Sequence, residues 1–437
     1  MNARETAQDS GCCASHAAHA PLLDVAEARA RIRARIAALP RERVPLARAE
    51  GRVLSVPVDS AVDLPPFDNA AMDGHALVWS EHLAAGREFE IQAEQAAGEG
   101  LSRLQTGRAI AIMTGARMPD GADVVVPVED VRVLARDDDG RPRRIRIERP
   151  PQRDQHVRHA GEDIARGMRA VDAGTRLDAA ACMLLRGVGI GWVDVARAPR
   201  VALFSTGREL VGTPGQALAP GQIHDTSRPW LESRLAASGA QVAIAATLAD
   251  DAAAFIDALR RSLDDGVDLV VSTGAVSKGR YDFVPHALAA LGAEVVFHGV
   301  AMRPGKPLLF AMLPGGVPFF GLPGNPVSSA VGARFFVDAA LRAMLGMPPE
   351  RPWRLPLAAP MVKKRGFQLY QKAELRLDEA GRVTVSLLQG QESFRTRPLL
   401  RTRAWAGLPA DADTLPAGHL VDAHPLLHFD DDLFARP

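Results

Sequence analysis

Three stretches decide the fold: Arg200-Val-Ala-Leu-Phe-Ser-Thr-Gly207, Val267-Asp-Leu-Val-Val-Ser-Thr-Gly274 and Val317-Pro-Phe-Phe-Gly-Leu-Pro-Gly-Asn-Pro326. Each is a short apolar run that ends in a glycine-containing turn. Between them lie segments with helical spacing, RPWLESRLAASG and DDAAAFIDALRRSLDDG, and a further apolar run, QVAIAATL. Strand-like and helix-like runs in alternation predict a parallel, doubly wound α/β sheet over 198–347. In such a sheet the carboxyl ends of the strands line one crevice, and helices starting there aim free N–H groups and a positive dipole end into it. An anionic ligand is the natural guest.

One Ser-Thr-Gly turn alone is an ordinary structural turn. Two of them, Ser205-Thr206-Gly207 and Ser272-Thr273-Gly274, with a rigid Pro323-Gly324-Asn325-Pro326 turn before a helix expected over 328–343, point to binding. Ser277 stands just beyond the second turn. Arg303-Pro304-Gly305-Lys306-Pro307 places two cations on a proline-braced turn, which suits an oxyanion or a solvated basic loop equally well. Asp225 and Asp250 each stand where a helix N-cap would. Glu209 and Asp282 have no such structural account.

Around this core the chain divides further. At 437 residues it holds roughly two to four domains. With 47% hydrophobic residues, 24% charged, 38 glycines and 32 prolines, it reads as globular and rich in turns. Residues 1–20 read as a disordered tail, whose Cys12-Cys13-x-x-His16-x-x-His19 run is either a metal cluster or incidental. An amphipathic helix is expected between Pro21 and Leu39, ended by Pro40. Residues 53–153 have the β-branched, glycine-punctuated texture of an inserted β domain, so 21–52 and 154–197 are expected to form one discontinuous helical and mixed domain. The last segment, 348–437, reads as a small β domain. Within the insertion, Pro65-Pro66-Phe67-Asp68-Asn69-Ala70-Ala71-Met72-Asp73-Gly74 is either a run of Asx turns or a carboxylate loop suited to Mg²⁺.

The 52 basic and 52 acidic residues cancel, leaving no global field for nucleic acid or an acidic membrane. Three cysteines make no disulfide framework, no run approaches about 18 apolar residues, and the N-terminus lacks signal-peptide character. A soluble, cytoplasmic protein is expected, with neither a nucleic-acid nor a membrane partner.

FDNAAMDGHAL, AIAIMTGARMPDGADVVVPVED, HVRHAGEDIARG, RVALFSTGREL, GQIHDTSRPWL, STGAVSKGRYDFV, MRPGKP and GLPGNPVSS occur in this order. Together they resemble the molybdopterin molybdenumtransferase family, MoeA in bacteria and the E domain of gephyrin in animals, nearly end to end. The resemblance implies an elongated, homodimeric, four-domain enzyme whose α/β domain is similar to that of the MogA-like enzyme that adenylylates molybdopterin. It implies insertion of molybdate into adenylylated molybdopterin, with release of AMP and the molybdenum cofactor and dependence on Mg²⁺. Molybdopterin adenylyltransferase and apo-molybdoenzymes are implied as transient partners, and the cleft is implied to lie between the α/β domain of one subunit and the β insertion of the other.

Carried over by motif, the catalytic candidates are Asp68, Asp73, Thr114, Glu209, Asp250 and Asp282, with Glu209 and Asp282 holding Mg²⁺. The Ser-Thr-Gly, GLPGNP and RPGK turns are assigned to phosphate and pterin. The sequence departs from the family pattern at Arg208, Ala275, Arg280 and Gly299, the last standing where a lysine is expected. A non-catalytic scaffold and a nucleotide-pyrophosphate hydrolase on the same fold are the alternatives.

Overall fold

A computed structural model describes residues 22–276 and 283–431. The expected tail, with Cys12, Cys13, His16 and His19, and the candidates Ser277 and Asp282 lie outside the described residues. The three diagnostic stretches form strands. In chain order the α/β segment runs β1 (Arg200–Thr206), α1 (Ser227–Ala237), β2 (Gln241–Leu248), α2 (Ala252–Asp264), β3 (Leu269–Thr273), α3 (Val284–Leu291), β4 (Glu294–His298), β5 (Leu309–Leu313) and β6 (Val317–Leu322). A continuous helical run follows, α4 (Pro326–Gly332), a π turn (Ala333–Val337) and α5 (Asp338–Met344).

The strand order is β2-β1-β3-β6-β5-β4. β2, β1, β3 and β6 are mutually parallel, whereas β5 pairs antiparallel with both β6 and β4, so the expected all-parallel sheet is mixed at one edge. β1 and β3 are neighbours whose connections leave in opposite directions, which makes the gap between their carboxyl ends the switch point of the sheet. Their near-continuous apolar sequences follow from burial on both faces. Phe255 of α2 packs edge-on against Phe204, Phe283 and Phe319, with centroids 6.2, 5.6 and 6.3 Å away.

The C-terminal segment is a sheet of Trp353–Pro356, Gln368–Leu377, Val383–Leu387, Ala404–Leu408 and Leu420–Pro425. Met302–Arg303 adds to its edge, parallel to Gln368–Leu369. The N-terminal helix, Val25–Arg35, is capped by Asp24, which accepts from Glu27 N at 2.7 Å. It buries Val25, Ala28 and Ile32, and Arg35 pairs with Glu294 at 2.6 and 2.8 Å. Leu23 also bridges Val300. The helix thus belongs to one unit with 198–344 and the C-terminal sheet, and the expected grouping of 21–52 with 154–197 divides near residue 39.

The second unit spans 39–197. Arg41–Pro45 pairs antiparallel with Trp192–Ala196, and the helix Ala179–Gly187, capped by Asp178, packs over Leu46, Leu54, Leu177, Val193 and Val195. Between these ends lies a six-stranded sheet ordered Val124–Pro127, Gly74–Leu77, Arg108–Ile112, Glu88–Gln95, Pro142–Ile147 and Val131–Arg136. Gly74 follows Asp73 because any side chain there would place its Cβ 2.3 Å from the Val126 carbonyl oxygen. No helix among the described residues is long and apolar enough to cross a membrane.

Phe255→Ala removes the hub of the ring cluster and is expected to destabilise the α/β unit by about 3–5 kcal/mol, measured as a lowered urea midpoint.

Candidate active site

The sheet register sets Ser205 beside Thr273 and Thr273 beside Leu322, so the two Ser-Thr-Gly turns and the GLPGNP turn meet at the carboxyl ends of β1, β3 and β6. Their hydroxyls face inward. Thr206 Oγ1 donates to Thr273 O at 3.4 Å, Thr273 Oγ1 to Pro323 O at 3.1 Å, and Ser329 Oγ lies 2.9 Å from Thr273 Oγ1. Ser205 Oγ donates to the buried Asp225, which also accepts from Thr247 Oγ1 at 3.0 Å and from Arg228 N at 3.1 Å. These side chains lace the strand ends together. Ser272 Oγ is buried with no partner among the described residues.

Gly274, at φ +97°, lies so close to the first turn that a Cβ would sit 2.3 Å from Thr206 O. Its N–H donates to Leu322 O at 3.0 Å, joining the second turn to the third. Asn325 precedes α4, with Pro326 at the first helical position, where its missing N–H costs nothing. Ala275 follows at φ +52°, a region an alanine enters only at a cost.

Asp250 is not an N-cap. Asp251 holds that place, accepting from Ala253 N and Ala254 N at 2.8 and 3.1 Å, while Asp250 accepts from Arg208 N at 3.2 Å and ties the first turn to β2. Glu209 is exposed, and its carboxylate folds back over Gly207, where a Cβ would meet its oxygens at 2.9 and 3.0 Å. A carboxylate beside an anion crevice matches what Mg²⁺ takes, one or two carboxylates completed by phosphate oxygens. The expected second ligand, Asp282, lies outside the described residues; among those described, no three His, Cys, Asp or Glu side chains gather as a metal cluster.

The RPGKP turn opens on a groove of about 570 Å³ whose other wall comes from the C-terminal sheet. Arg303, Lys306 and Ser328 face Lys363, Lys364, Phe367, Leu369, Gln371, Gln391 and Ser393 across it. The Arg303 guanidinium lies over the Phe367 ring at 4.4 Å, which fixes that cation in place. Val327 N donates to Ser393 O at 3.0 Å, closing one end. Lys372, fully buried, donates from Nζ to Arg395 O at 3.1 Å and holds the loop that carries Ser393.

The C-terminal wall was not foreseen from the motifs, yet a signal was present. The chain has only five lysines among 52 basic residues. Three of them, Lys306, Lys363 and Lys364, line this groove, and Lys372 supports it. The fifth, Lys278, lies outside the described residues. A protein that uses arginine almost everywhere keeps the compact ammonium group here. Gly299 stands at φ +105°, a backbone position that favours glycine over the lysine expected there.

In the second unit the other carboxylates are held separately. Asp68 Oδ1 accepts from Ala160 N at 2.8 Å, and Oδ2 lies 3.4 Å from His159 Nδ1. Asp73 Oδ1 accepts from Thr114 N at 2.7 Å and Thr114 Oγ1 at 2.9 Å, and these two bonds hold its carboxyl below the usual range. Asp73 and Thr114, both carried over by motif as candidates, are thus in contact. Asp73 lies at the end of an open groove of about 1040 Å³ that also contains His75, whose burial pushes its pKa down to about 4.

Thr114→Val keeps the backbone donor and removes the hydroxyl; the Asp73 carboxyl midpoint, followed by carbon-detected NMR titration, is expected to rise while remaining below that of a free carboxylate. Ala275→Gly is expected to raise stability by about 0.5–1 kcal/mol in urea unfolding, because it relieves a left-handed backbone at little entropic cost.

Residues 23–189 match the MoeA N-terminal region (domain I and II), and residues 202–343 match a probable molybdopterin binding domain. A molybdopterin molybdenumtransferase of Synechococcus elongatus is 38% identical over 394 residues, covering 88% of this chain and 94% of the relative. Molybdopterin molybdenumtransferase 2 of Mycobacterium tuberculosis is 34% identical over 387 residues, covering 86% and 92%. Among solved structures, a MoeA protein of Pyrococcus horikoshii superposes with a TM-score of 0.77 at 26% identity, covering 93% of this chain and all of the other. The chain belongs to the molybdopterin molybdenumtransferase family.

Proposed function

We propose that the protein inserts molybdate into adenylylated molybdopterin, breaking the phosphoanhydride with water to release AMP and yield the molybdenum cofactor. The observation that carries this reading is the groove of lysines and Arg303 beside the laced turns of the α/β crevice. Molybdate is a tetrahedral dianion that must be held near a second anion, and clustered cations offset that repulsion. Ammonium groups suit a compact tetrahedral oxyanion, where the planar fork of arginine fits flat carboxylates and paired phosphate oxygens. The crevice at β1, β3 and β6 would take the pterin phosphate and the adenylate. Mg²⁺ would be held by Glu209 and Asp282, where it would neutralise phosphate charge. A homodimer, a cytoplasmic setting and transient exchange with molybdopterin adenylyltransferase and apo-molybdoenzymes belong to the same proposal.

The test combines the protein with adenylylated molybdopterin, Mg²⁺ and molybdate, following AMP release and reactivation of a cofactor-free molybdoenzyme. Both signals should depend on molybdate, and Lys306→Ala or Lys364→Ala should raise the half-saturating molybdate concentration about tenfold or more. AMP release indifferent to molybdate would instead identify a nucleotide-pyrophosphate hydrolase, and tight binding without release a scaffold.

A further inference from the structure

The anion groove has one wall in the α/β segment and one in the C-terminal sheet, so its width depends on how the strand Gln368–Leu377 is held against the helical run of α4, the π turn and α5. Leu369 and Gln371 face the groove, and Tyr370 between them points the opposite way, as alternation along a strand requires. Behind the strand, Tyr370 is buried, with its ring stacked on Phe335 at a centroid distance of 3.7 Å and an interplanar angle of 19°. Phe335 also meets His424 of the last strand edge-on at 4.8 Å. Its neighbour Arg334, fully buried, binds both carboxylate oxygens of Glu350 in the linker, with Nη1 to Oε2 at 2.9 Å, and donates from Nε to Pro425 O at 2.9 Å.

Both residues are presented by the π turn Ala333–Val337. Such a turn inserts one residue into the helical register. α4 can therefore keep Ser328 at the groove while α5 sends Asp338 to Arg234 Nη2 at 2.6 Å and Ser238 Oγ at 2.9 Å. Arg334 and Phe335 are left facing the C-terminal sheet.

We propose that Phe335 and Arg334 are positioning residues for the anion groove, clamping the strand Gln368–Leu377 and the linker from behind so that the lysine-bearing wall keeps its place against the RPGKP turn. The inference rests on the reading that this groove takes the oxyanion. Calorimetric titration of the full-length protein with molybdate tests it in Phe335→Leu, Tyr370→Leu, the double variant and Tyr370→Phe. The two leucine variants should each weaken molybdate binding about tenfold, and the double variant should be no worse than either, since both break one stack. Tyr370→Phe, which keeps the stack, should bind as wild type, and affinity for adenylylated molybdopterin alone should be unchanged in all four.

Wild-type molybdate affinity in folded Phe335→Leu would overturn the proposal; if that variant is not recovered folded, Tyr370→Leu carries the same test from the strand side. If the wild-type protein binds no molybdate, the oxyanion reading fails and hydrogen exchange decides the clamp. Faster exchange over 361–371 in a leucine variant, with α2 unchanged, supports it, and equal exchange overturns it.

Discussion

The contact on which the site depends is the approach of Gly274 to the Thr206 carbonyl, where a Cβ would be 2.3 Å from the oxygen. Only a bare backbone permits two strand-end turns to touch in this way. Once they touch, the hydroxyls of Thr206, Thr273 and Ser329 find partners within the turns, that of Ser205 finds Asp225, and the GLPGNP turn is drawn in through Gly274 N and Leu322 O. The crevice at the switch point therefore has a floor fixed by short-range bonds before any ligand arrives. Pre-organisation of this kind lowers the ordering cost of binding an anion.

Charge is distributed by a different logic on the groove side. Surface arginines are paired with carboxylates across the molecule, as Arg35 with Glu294 and Arg146 with Glu88, and such exposed pairs contribute little to stability. Among the described residues, no lysine stands in an ion pair of that kind. Lys306 and Lys364 line one concavity with Arg303, whose position is set by Phe367 beneath it, while Lys363 in the same wall donates from Nζ to Phe367 O at 3.3 Å. Like charges gathered at one place cost energy in the unbound protein, a cost that a bound anion would offset.

The α/β core was legible because buried parallel strands are continuous apolar runs and their Gly-containing turns mark where each one ends. The antiparallel edge was not, since runs such as AEVVF and LLFAML carry no record of direction. The helix Val25–Arg35 was visible, but an apolar stripe does not name the surface it will cover, and Leu23 with Arg35 places it beside Val300 and Glu294. Asp250 looked like a cap because it precedes a helix; its neighbour Asp251 has the extended backbone that a cap requires, which releases Asp250 to the first turn. Asp73 and Thr114 were found by motif, whereas the lysine wall required the C-terminal sheet to fold back on the RPGKP turn, a pairing no local pattern encodes.

What joins that sheet to the α/β segment is a costly set of interactions. Burial alone would raise the Glu350 carboxyl, but the Arg334 guanidinium and the hydrogen bond from His424 hold it well below its ordinary range. A hydrophobic trio of similar volume would supply comparable stability without the desolvation of two charges. The ion pair adds direction instead, because a guanidinium engaged on all sides accepts one placement of Glu350 and of the Pro425 carbonyl. Deleting either charge would strand the other in the interior, at about 3–5 kcal/mol. The linker is thereby pinned to a single position behind the strand whose front face lines the groove, so that the shape of an exposed concavity is set by charges buried behind it.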